Sequence, residues 1–277
     1  MVKPRRELAQ HWLKSEKALN DIIQAASSKN NNGEAGLKAT RILEIGPGTG
    51  ILTRRLLPLV QSLVAVEVDP DLCKLLTKNL GKKENFLLLQ GDFLSLDIPS
   101  LLAGFPEFQN PSRVVANIPY NITGPIIAKL LGKISCPNPQ PYELIVLLIQ
   151  KEVAQRLVAK PGTKTFGALT VRVQYLAECH MVSIVPAKAF YPVPKVDSAI
   201  ISLRPRNIEI PANNPKQLET IVKLGFGAKR KMLRNNLQSL IERDRLTQLL
   251  EQLHINPQAR AEDLSVQQWI ALSNQCK

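Results

Sequence analysis

Between residues 41 and 150 the chain repeats one pattern: a short apolar run, a segment with helical spacing, then another apolar run. The runs are RILEI, LVAVEV, FLLLQ, RVVAN and ELIVLLIQ, each bounded by Gly, Pro, Asn or Asp. Apolar runs of this length without polar alternation belong to strands covered on both faces. The intervening segments, such as 51–60 and 71–80, carry the helical period. Strand-helix-strand alternation predicts an α/β fold with a parallel, doubly wound sheet. Two later runs, 171–185 and 196–205, are separated by a proline-rich stretch instead of a helix, which predicts antiparallel additions to that sheet. Polar or proline-rich stretches at 27–36 and 136–141 read as exposed loops. Past Pro205 the segment RNIEIPANNPKQ breaks the pattern, and helical spacing follows at Leu233, Leu237, Leu240 and Ile241. The expected organisation is a main domain over 1–205 and a small helical domain over 206–277, as a length of 277 residues allows.

Composition narrows the function classes. No stretch approaches the ~20 apolar residues of a membrane span, and the N-terminal MVKPRRELAQHWLKS lacks the apolar core of a signal peptide. Cys73, Cys136, Cys179 and Cys276 show no C-x-x-C pairing, and His11, His180 and His254 are equally scattered, so no metal site is expected. Unpaired thiols fit a reducing compartment, with the cytoplasm as default. Lys and Arg number 36 against 23 Asp and Glu, a net charge of +13. Such a surface releases counterions on binding a polyanion, which points to nucleic acid.

RILEI runs into Gly46-Pro47-Gly48-Thr49-Gly50 and then a helical segment, an arrangement that lets backbone approach a nucleoside closely. A dinucleotide fingerprint, G-x-G-x-x-G, would need glycine at position 51; this chain has Ile51 there and a glycine at 50. The G-x-G-x-G form fits adenosylmethionine better than NAD. The next strand ends in Glu67-Val68-Asp69, where a carboxylate can accept from both ribose hydroxyls, and Glu67 is preferred over Asp69. The third ends in Gly91-Asp92-Phe93, with Asp92 placed to accept from the adenine amine of the cofactor. Either acid alone is equally a helix cap.

The fourth strand leads into Asn117-Ile118-Pro119-Tyr120. An adenine N6 lone pair is delocalised into its ring, and acceptors on its N–H groups draw it out of conjugation without a strong base. Asn117 Oδ1 and the Ile118 carbonyl are the proposed acceptors. Pro119, with fixed φ, holds that carbonyl, and Tyr120 offers a face for the base. A base in such a pocket has left its stack, so the substrate is single-stranded, looped or flipped.

GPGTG, VEVDP, GDF and NIPY, in that order, resemble the motif series of the small-subunit ribosomal RNA adenine dimethyltransferases, over nearly the whole chain. The resemblance implies a Rossmann-like class I S-adenosylmethionine-dependent methyltransferase domain at 1–205 and an RNA-contacting domain at 206–277. QHWL (10–13) is similar to the family's Gln-Asn/His-Phe-Leu motif, which implies that His11 and Leu13 touch the cofactor alongside Gly46, Gly48, Gly50, Glu67, Asp92 and Asn117. Ala9 departs from the usual glycine there, and Trp12 from the usual Phe. AFYPVPKVDSA (189–199) implies that Phe190 packs on the target base opposite Tyr120. KRKMLRNNL (229–237) is like the family's basic helix, so Lys229, Arg230, Lys231 and Arg234 are expected to meet RNA on one helix face, with Lys3, Arg5 and Arg6 as further phosphate contacts.

The implied reaction is four methyl transfers giving two adjacent N6,N6-dimethyladenosines near the 3′ end of small-subunit rRNA. The expected partner is that RNA or the immature small subunit, with no membrane or metal, and the protein is expected to be a monomer. A large-subunit rRNA methyltransferase, a non-catalytic RNA-binding or transcription factor on the same fold, and a small-molecule methyltransferase are the alternatives. The intact Asn117, Pro119 and Tyr120 disfavour the binder. The charge disfavours the small-molecule enzyme.

Overall fold

The computed structural model describes residues 2–5, 7–28, 36–228 and 230–276. Most of the loop expected at 27–36, and the cations Arg6 and Lys229, lie outside the described residues. The chain divides into two compact units. The first comprises the chain up to Leu130, Gln140–Ala154 and His180–Pro205; the second takes Leu131–Pro139, Gln155–Cys179 and the chain from Arg206. Residues 131–139 and 155–179, read from sequence with the first domain, therefore cluster with the second.

The first unit is built on a seven-stranded sheet. Its strands are β2 (Arg41–Ile45), β3 (Ser62–Glu67), β4 (Phe86–Gln90), β5 (Arg113–Asn117), β8 (Leu144–Gln150), β9 (Ala177–Val185) and β11 (Ser198–Pro205), in the order β4-β3-β2-β5-β8-β11-β9. Strands β4 to β8 in that order are mutually parallel, and β11 pairs antiparallel to β8. The winding proceeds one way from β2 to β3 and β4, and the other way from β5 to β8. Right-handed crossovers then place the connecting helices on opposite faces, and the reversal leaves a crevice at the carboxyl ends of β2 and β5. A separate pair, β1 (Trp12–Leu13) with β10 (Phe190–Tyr191), is antiparallel.

The helices of this unit are α1 (Glu16–Ala26), α2 (Ile51–Leu56), α3 (Pro70–Leu80), α4 (Ile98–Leu102) and α5 (Thr123–Leu131), with α6 (Lys151–Leu157) straddling the unit boundary. Helix α1 shows how they are specified. The Ser15 hydroxyl accepts from Ala18 N at its start, and Ala18, Leu19, Ile22 and Ala26 share one buried face. Burying each large aliphatic side chain of that face contributes about 1.5–3 kcal/mol. The helix expected over 51–60 tightens after Leu56 into a 3₁₀ turn, Leu57–Leu59, around Pro58, whose ring lacks the N–H that an α-helical interior needs.

The second unit holds the hairpin of β6 (Gly132–Lys133) and β7 (Cys136–Pro137), and α7 (Ala168–Leu176), α8 (Pro215–Gly225), α9 (Leu233–Asn236), α10 (Arg243–Gln252) and α11 (Val266–Gln275). Two expectations fail here. The run 171–185, read as a strand throughout, is helical to Leu176: Thr170 Oγ1 accepts from Gly167 N at the helix start, and Val171, Val173, Tyr175 and Leu176 are all buried. Packing overrides the β preference of Val and Tyr. The basic helix over 229–237 shrinks to one turn at 233–236. Met232 is extended, and Asn236 Nδ2 reaches back to the carbonyls of Gly225 and Ala228, folding the segment over itself. Leu240, expected in the helix's apolar face, is 48% exposed.

The core of the second unit centres on Trp269, fully buried, with Phe226 between it and Phe166 at ring separations of 5.6 and 6.5 Å. Gly225 lies under the Trp269 indole, and a Cβ there would collide with the ring and come within 3.0 Å of Leu233. Gly225→Ala therefore overpacks this core. After the roughly 1 kcal/mol helix-propensity gain of Ala over Gly is set against it, a net loss of about 2 kcal/mol is expected. Thermal denaturation checks this; an unchanged midpoint would contradict the packing.

Glu44 is the anomaly of the sheet, 2% exposed in β2 between Ala65 and Val115. Its Oε2 meets no partner among the described residues. Burial pushes its carboxyl up to about 8, with the Thr53 hydroxyl pulling the other way. A raised folded-state value means that stability is greatest while the group is protonated in both states and is lost as pH rises from the ordinary glutamate range through about 8. Glu44→Gln keeps the shape without the titration. Its melting midpoint relative to the unsubstituted protein should rise steadily from pH 5 to pH 8.5, and a pH-independent difference would show that Glu44 ionises normally.

Candidate active site

A cleft open to solvent lies at the carboxyl ends of the parallel strands. The strand ends supply Gly46 and Gly48 after β2, Glu67 and Val68 at β3, Gly91, Asp92 and Phe93 after β4, and Asn117 to Tyr120 at β5. The glycine loop takes left-handed φ at Gly46, Gly48 and Gly50, +67°, +58° and +75°, where a side chain would be strained. Gly50 is not part of the cleft lining. A Cβ on it would lie 2.7 Å from Leu76 Cδ2, so it serves the packing of α2 on α3 instead of contacting a ligand.

Glu67 is 4% exposed. Its Oε1 accepts from Val68 N and Asp69 N, and its Oε2 from Gly48 N at 3.0 Å. Burial raises its pKa, with these three amides opposing. Oε1 thus accepts two bonds and Oε2 one, which leaves Oε2 the freer oxygen. Asp92 is exposed, with Oδ1 accepting from Leu94 N and Oδ2 from the Ser95 hydroxyl. It caps a turn and borders the cleft at once. Lys129 of α5 fixes this loop by donating to the carbonyls of Phe93, Leu94 and Leu96 at 2.6, 3.1 and 2.6 Å, with its ammonium over the Phe93 ring. Nothing in the local sequence around Lys129 signals that role.

Asp69, wholly buried, is a structural hub. Its Oδ1 caps α3 through Asp71 N, while Oδ2 accepts from Gln10 Nε2 and pairs with Arg5. Arg5 also bonds Asp71, so this guanidinium pins the N-terminal segment and is not the independent phosphate contact expected. Residues 8–12 thereby line the cleft. Ala9 sits at φ +48°, which accounts for glycine as the usual residue there. Leu13 points away: it is 4% exposed in the hydrophobic core and does not line the cleft, because side chains alternate along β1.

The Asn117-Ile118-Pro119-Tyr120 tetrad closes one end. Asn117 Nδ2 donates to the His11 carbonyl at 3.1 Å, which fixes the amide, and no described residue bonds its Oδ1. Ile118 N donates to Leu148 O, tying the tetrad to β8. The Tyr120 hydroxyl bonds Ser198 Oγ at 2.7 Å, and its ring stacks with His11 at 5.8 Å and 20°. His11 Nδ1 in turn meets the Pro192 carbonyl at 2.7 Å. Phe190 lines the cleft yet is 1% exposed, paired with Leu13 in the β1–β10 ladder. The exposed aromatic beside it is Tyr191, with Lys14 over its ring.

Sequence reasoning thus located His11, Gly46, Gly48, Glu67, Asp92, Asn117, Ile118, Pro119, Tyr120 and Phe190 at one cleft, and misplaced Leu13 and Gly50. Among lining residues it gave no role to Gln10, Trp12, Phe93 and Ile122; Gln10 and Trp12 were signalled by the QHWL segment and Phe93 by its place after Asp92. Arg230, Lys231 and Arg234 belong to the second unit, with only Arg234 on a helix. Among the described residues no cluster of His, Cys, Asp or Glu has the geometry to hold a metal ion, and no helix is long and apolar enough to cross a membrane.

The curated relatives include ribosomal RNA small subunit methyltransferase A of Nostoc punctiforme, 72% identical over 99% of this chain and 96% of that protein. The namesake from Crocosphaera subtropica is 62% identical over 99% and 98%. Among solved structures, a dimethyladenosine transferase from Plasmodium falciparum matches with TM-score 0.76 at 26% identity, covering 95% of this chain and 96% of that one. A 23S rRNA methyltransferase matches with TM-score 0.71 at 27% identity, covering 96% and 99%. The family model described as ribosomal RNA adenine dimethylase matches residues 1–277, and with the cleft and its tetrad in place the chain belongs to that family.

Proposed function

We propose that this protein transfers methyl groups from S-adenosylmethionine to the N6 amines of two adjacent adenosines in a loop near the 3′ end of small-subunit rRNA. The observation that carries the reading is Asn117, whose Nδ2 is held by the His11 carbonyl so that its Oδ1 remains for an incoming amine. The similarity to small-subunit methyltransferases across nearly the full chain supports the choice of RNA. The likeness to a 23S rRNA enzyme shows that this architecture also serves the large subunit, so both RNAs belong in the test. The protein is expected to act in the cytoplasm, as a monomer, on the immature small subunit.

The cleft fits the cofactor on this chain's own features. A buried carboxylate at Glu67 suits a ribose hydroxyl, Asp92 and Phe93 border the adenine position, and glycines keep the loop free of Cβ atoms. Bound adenosylmethionine supplies an electrophilic methyl on a sulfonium, released as a neutral thioether. Asn117 Oδ1 and the Ile118 carbonyl accept both N–H bonds of the target amine before the first transfer, and the one that remains before the second, and turn its lone pair out of the ring. Tyr120, steadied by Ser198 and stacked with His11, offers the platform for the flipped base. Phe190, buried behind β1, supports that platform or meets the base after a rotation of its ring. The amine nitrogen gains the methyl and loses its proton to solvent. Arg230, Lys231, Arg234 and Lys229, which lies outside the described residues, contribute phosphate contacts that add affinity without reading sequence.

The test is transfer of labelled methyl to immature small subunits and, separately, to large-subunit rRNA, with nucleoside analysis of the product. Dimethyladenosine at two adjacent small-subunit positions is the expected outcome, and label confined to large-subunit rRNA would overturn the choice of substrate. Asn117→Ala should lower turnover about 100-fold or more while adenosylmethionine affinity changes only a few-fold. Equal loss of binding and turnover would reduce Asn117 to a tie for the N-terminal segment.

A further inference from the structure

The glycine amides of the loop are engaged within the protein. Gly46 N donates to Val66 O, Gly48 N to Glu67 and Gly50 N to Pro47 O. Of the side chains nearby, Gln10 Nε2 donates to Asp69 and Asn117 Nδ2 to the His11 carbonyl. One donor stands apart. Trp12 lines the cleft, and its Nε1–H is the one buried side-chain donor of the described lining residues without a partner. The indole edge lies over Gly48, with Cδ1 and Nε1 3.5 and 3.7 Å from the position a Cβ would take. The ring is held there by the antiparallel pairing of Trp12 with Tyr191. An unpartnered buried N–H is costly, and a ligand acceptor relieves that cost.

The acceptor follows from the orientation of the cofactor, and to that extent the inference rests on the proposed function. With the ribose at Glu67 and adenine at Asp92 and Phe93, and the reacting methyl at Asn117, the amino-acid end lies toward the glycine loop and residues 8–12. Its α-carboxylate is an anion that needs donors, yet the loop amides of Gly46, Gly48 and Gly50 are already engaged. We propose that the Trp12 indole N–H donates to the α-carboxylate of bound adenosylmethionine, making Trp12 a positioning residue that distinguishes the intact cofactor from its adenosine portion. Phe, the usual residue of the family at this position, has no such donor.

The test compares two ligands by calorimetry. S-adenosylhomocysteine carries the carboxylate; methylthioadenosine lacks the amino-acid end. Trp12→Phe should weaken adenosylhomocysteine about tenfold, as expected for a hydrogen bond to a charged group, and leave methylthioadenosine unchanged. The chain has only two tryptophans, so ¹⁵N spectra show two indole resonances, and the Trp12 one is identified by its loss in Trp12→Phe. That resonance should move downfield with adenosylhomocysteine and far less with methylthioadenosine, while the Trp269 resonance reports that the variant remains folded. Equal weakening of both ligands, or of neither, overturns the proposal, as does an indole shift of the same size with both. Failure of the unsubstituted protein to bind adenosylhomocysteine would overturn this inference together with the cofactor assignment.

Discussion

The registered parallel pairing of β2 with its two neighbours is the constraint on which the site rests. Ile45 lies opposite Val66 on one side and Ala116 on the other. The next residue along each strand is then Gly46, Glu67 or Asn117, so a loop glycine, a carboxylate and an amide emerge on one edge of the sheet. Glu67 faces Gln90 in turn, which brings Gly91 and Asp92 to the same edge. A slip of one residue between any two of these strands would send the side chain to the opposite face. The apolar insides of β2, β3 and β5, nearly all fully buried, are what make such a slip costly.

Strand ends alone give an open shelf. The N-terminal segment turns it into a cleft, and it is held by polar contacts at two separated points. At one, Asp69 binds Gln10 and Arg5 while capping α3. At the other, Asn117 holds the His11 carbonyl, and His11 reaches the Pro192 carbonyl. Asn117 thus both lines the cleft and closes the segment, and the bond through its Nδ2 leaves its Oδ1 without a partner among the described residues. The buried carboxylate of Asp69 is tolerable because backbone N–H, amide and guanidinium donors surround it. Glu44, six residues before the last glycine of the loop, lacks that company, and burial raises its pKa to about 8, which favours the neutral carboxyl over a buried charge.

Legibility in the sequence followed sequence distance. Parallel strands covered on both faces appear as plain apolar runs, so β2, β3, β4, β5 and β8 were readable, and with them the residues at their ends. Pairings between distant segments were not. Leu13 and His11 differ by two positions and would share a face within a strand, but β1 begins at Trp12, leaving His11 outside the ladder and Leu13 in the core. Gly50 looked like a third ligand contact because its obstacle, Leu76, is in another helix. In α7, Val171, Val173 and Tyr175 suggested a strand, and only their burial within a helical unit decides otherwise. The basic segment near 230 was misread for a similar reason: the helical period is present, but Asn236 folds it back on carbonyls eight and eleven residues earlier.

The surplus of cations has a structural counterpart in what the carboxylates do. Asp69, Asp97 and Glu242 cap helices, Glu67 binds three amides, and Asp263 accepts from Arg260 N. These acids face backbone N–H groups, whose partial charges they offset, and Asp69 pairs with Arg5 besides. The net +13 of the chain, counted with every carboxylate charged, gives the protein a positive field. Toward a polyanion that field contributes affinity that falls with salt and is indifferent to sequence. In the proposed reaction the neutral acceptors at Asn117 and Ile118 add little affinity at a distance; they receive both N–H bonds of the exocyclic amine before the first transfer and the one that remains before the second. In that proposal attraction and choice are carried by different groups, cations for the one and neutral acceptors for the other.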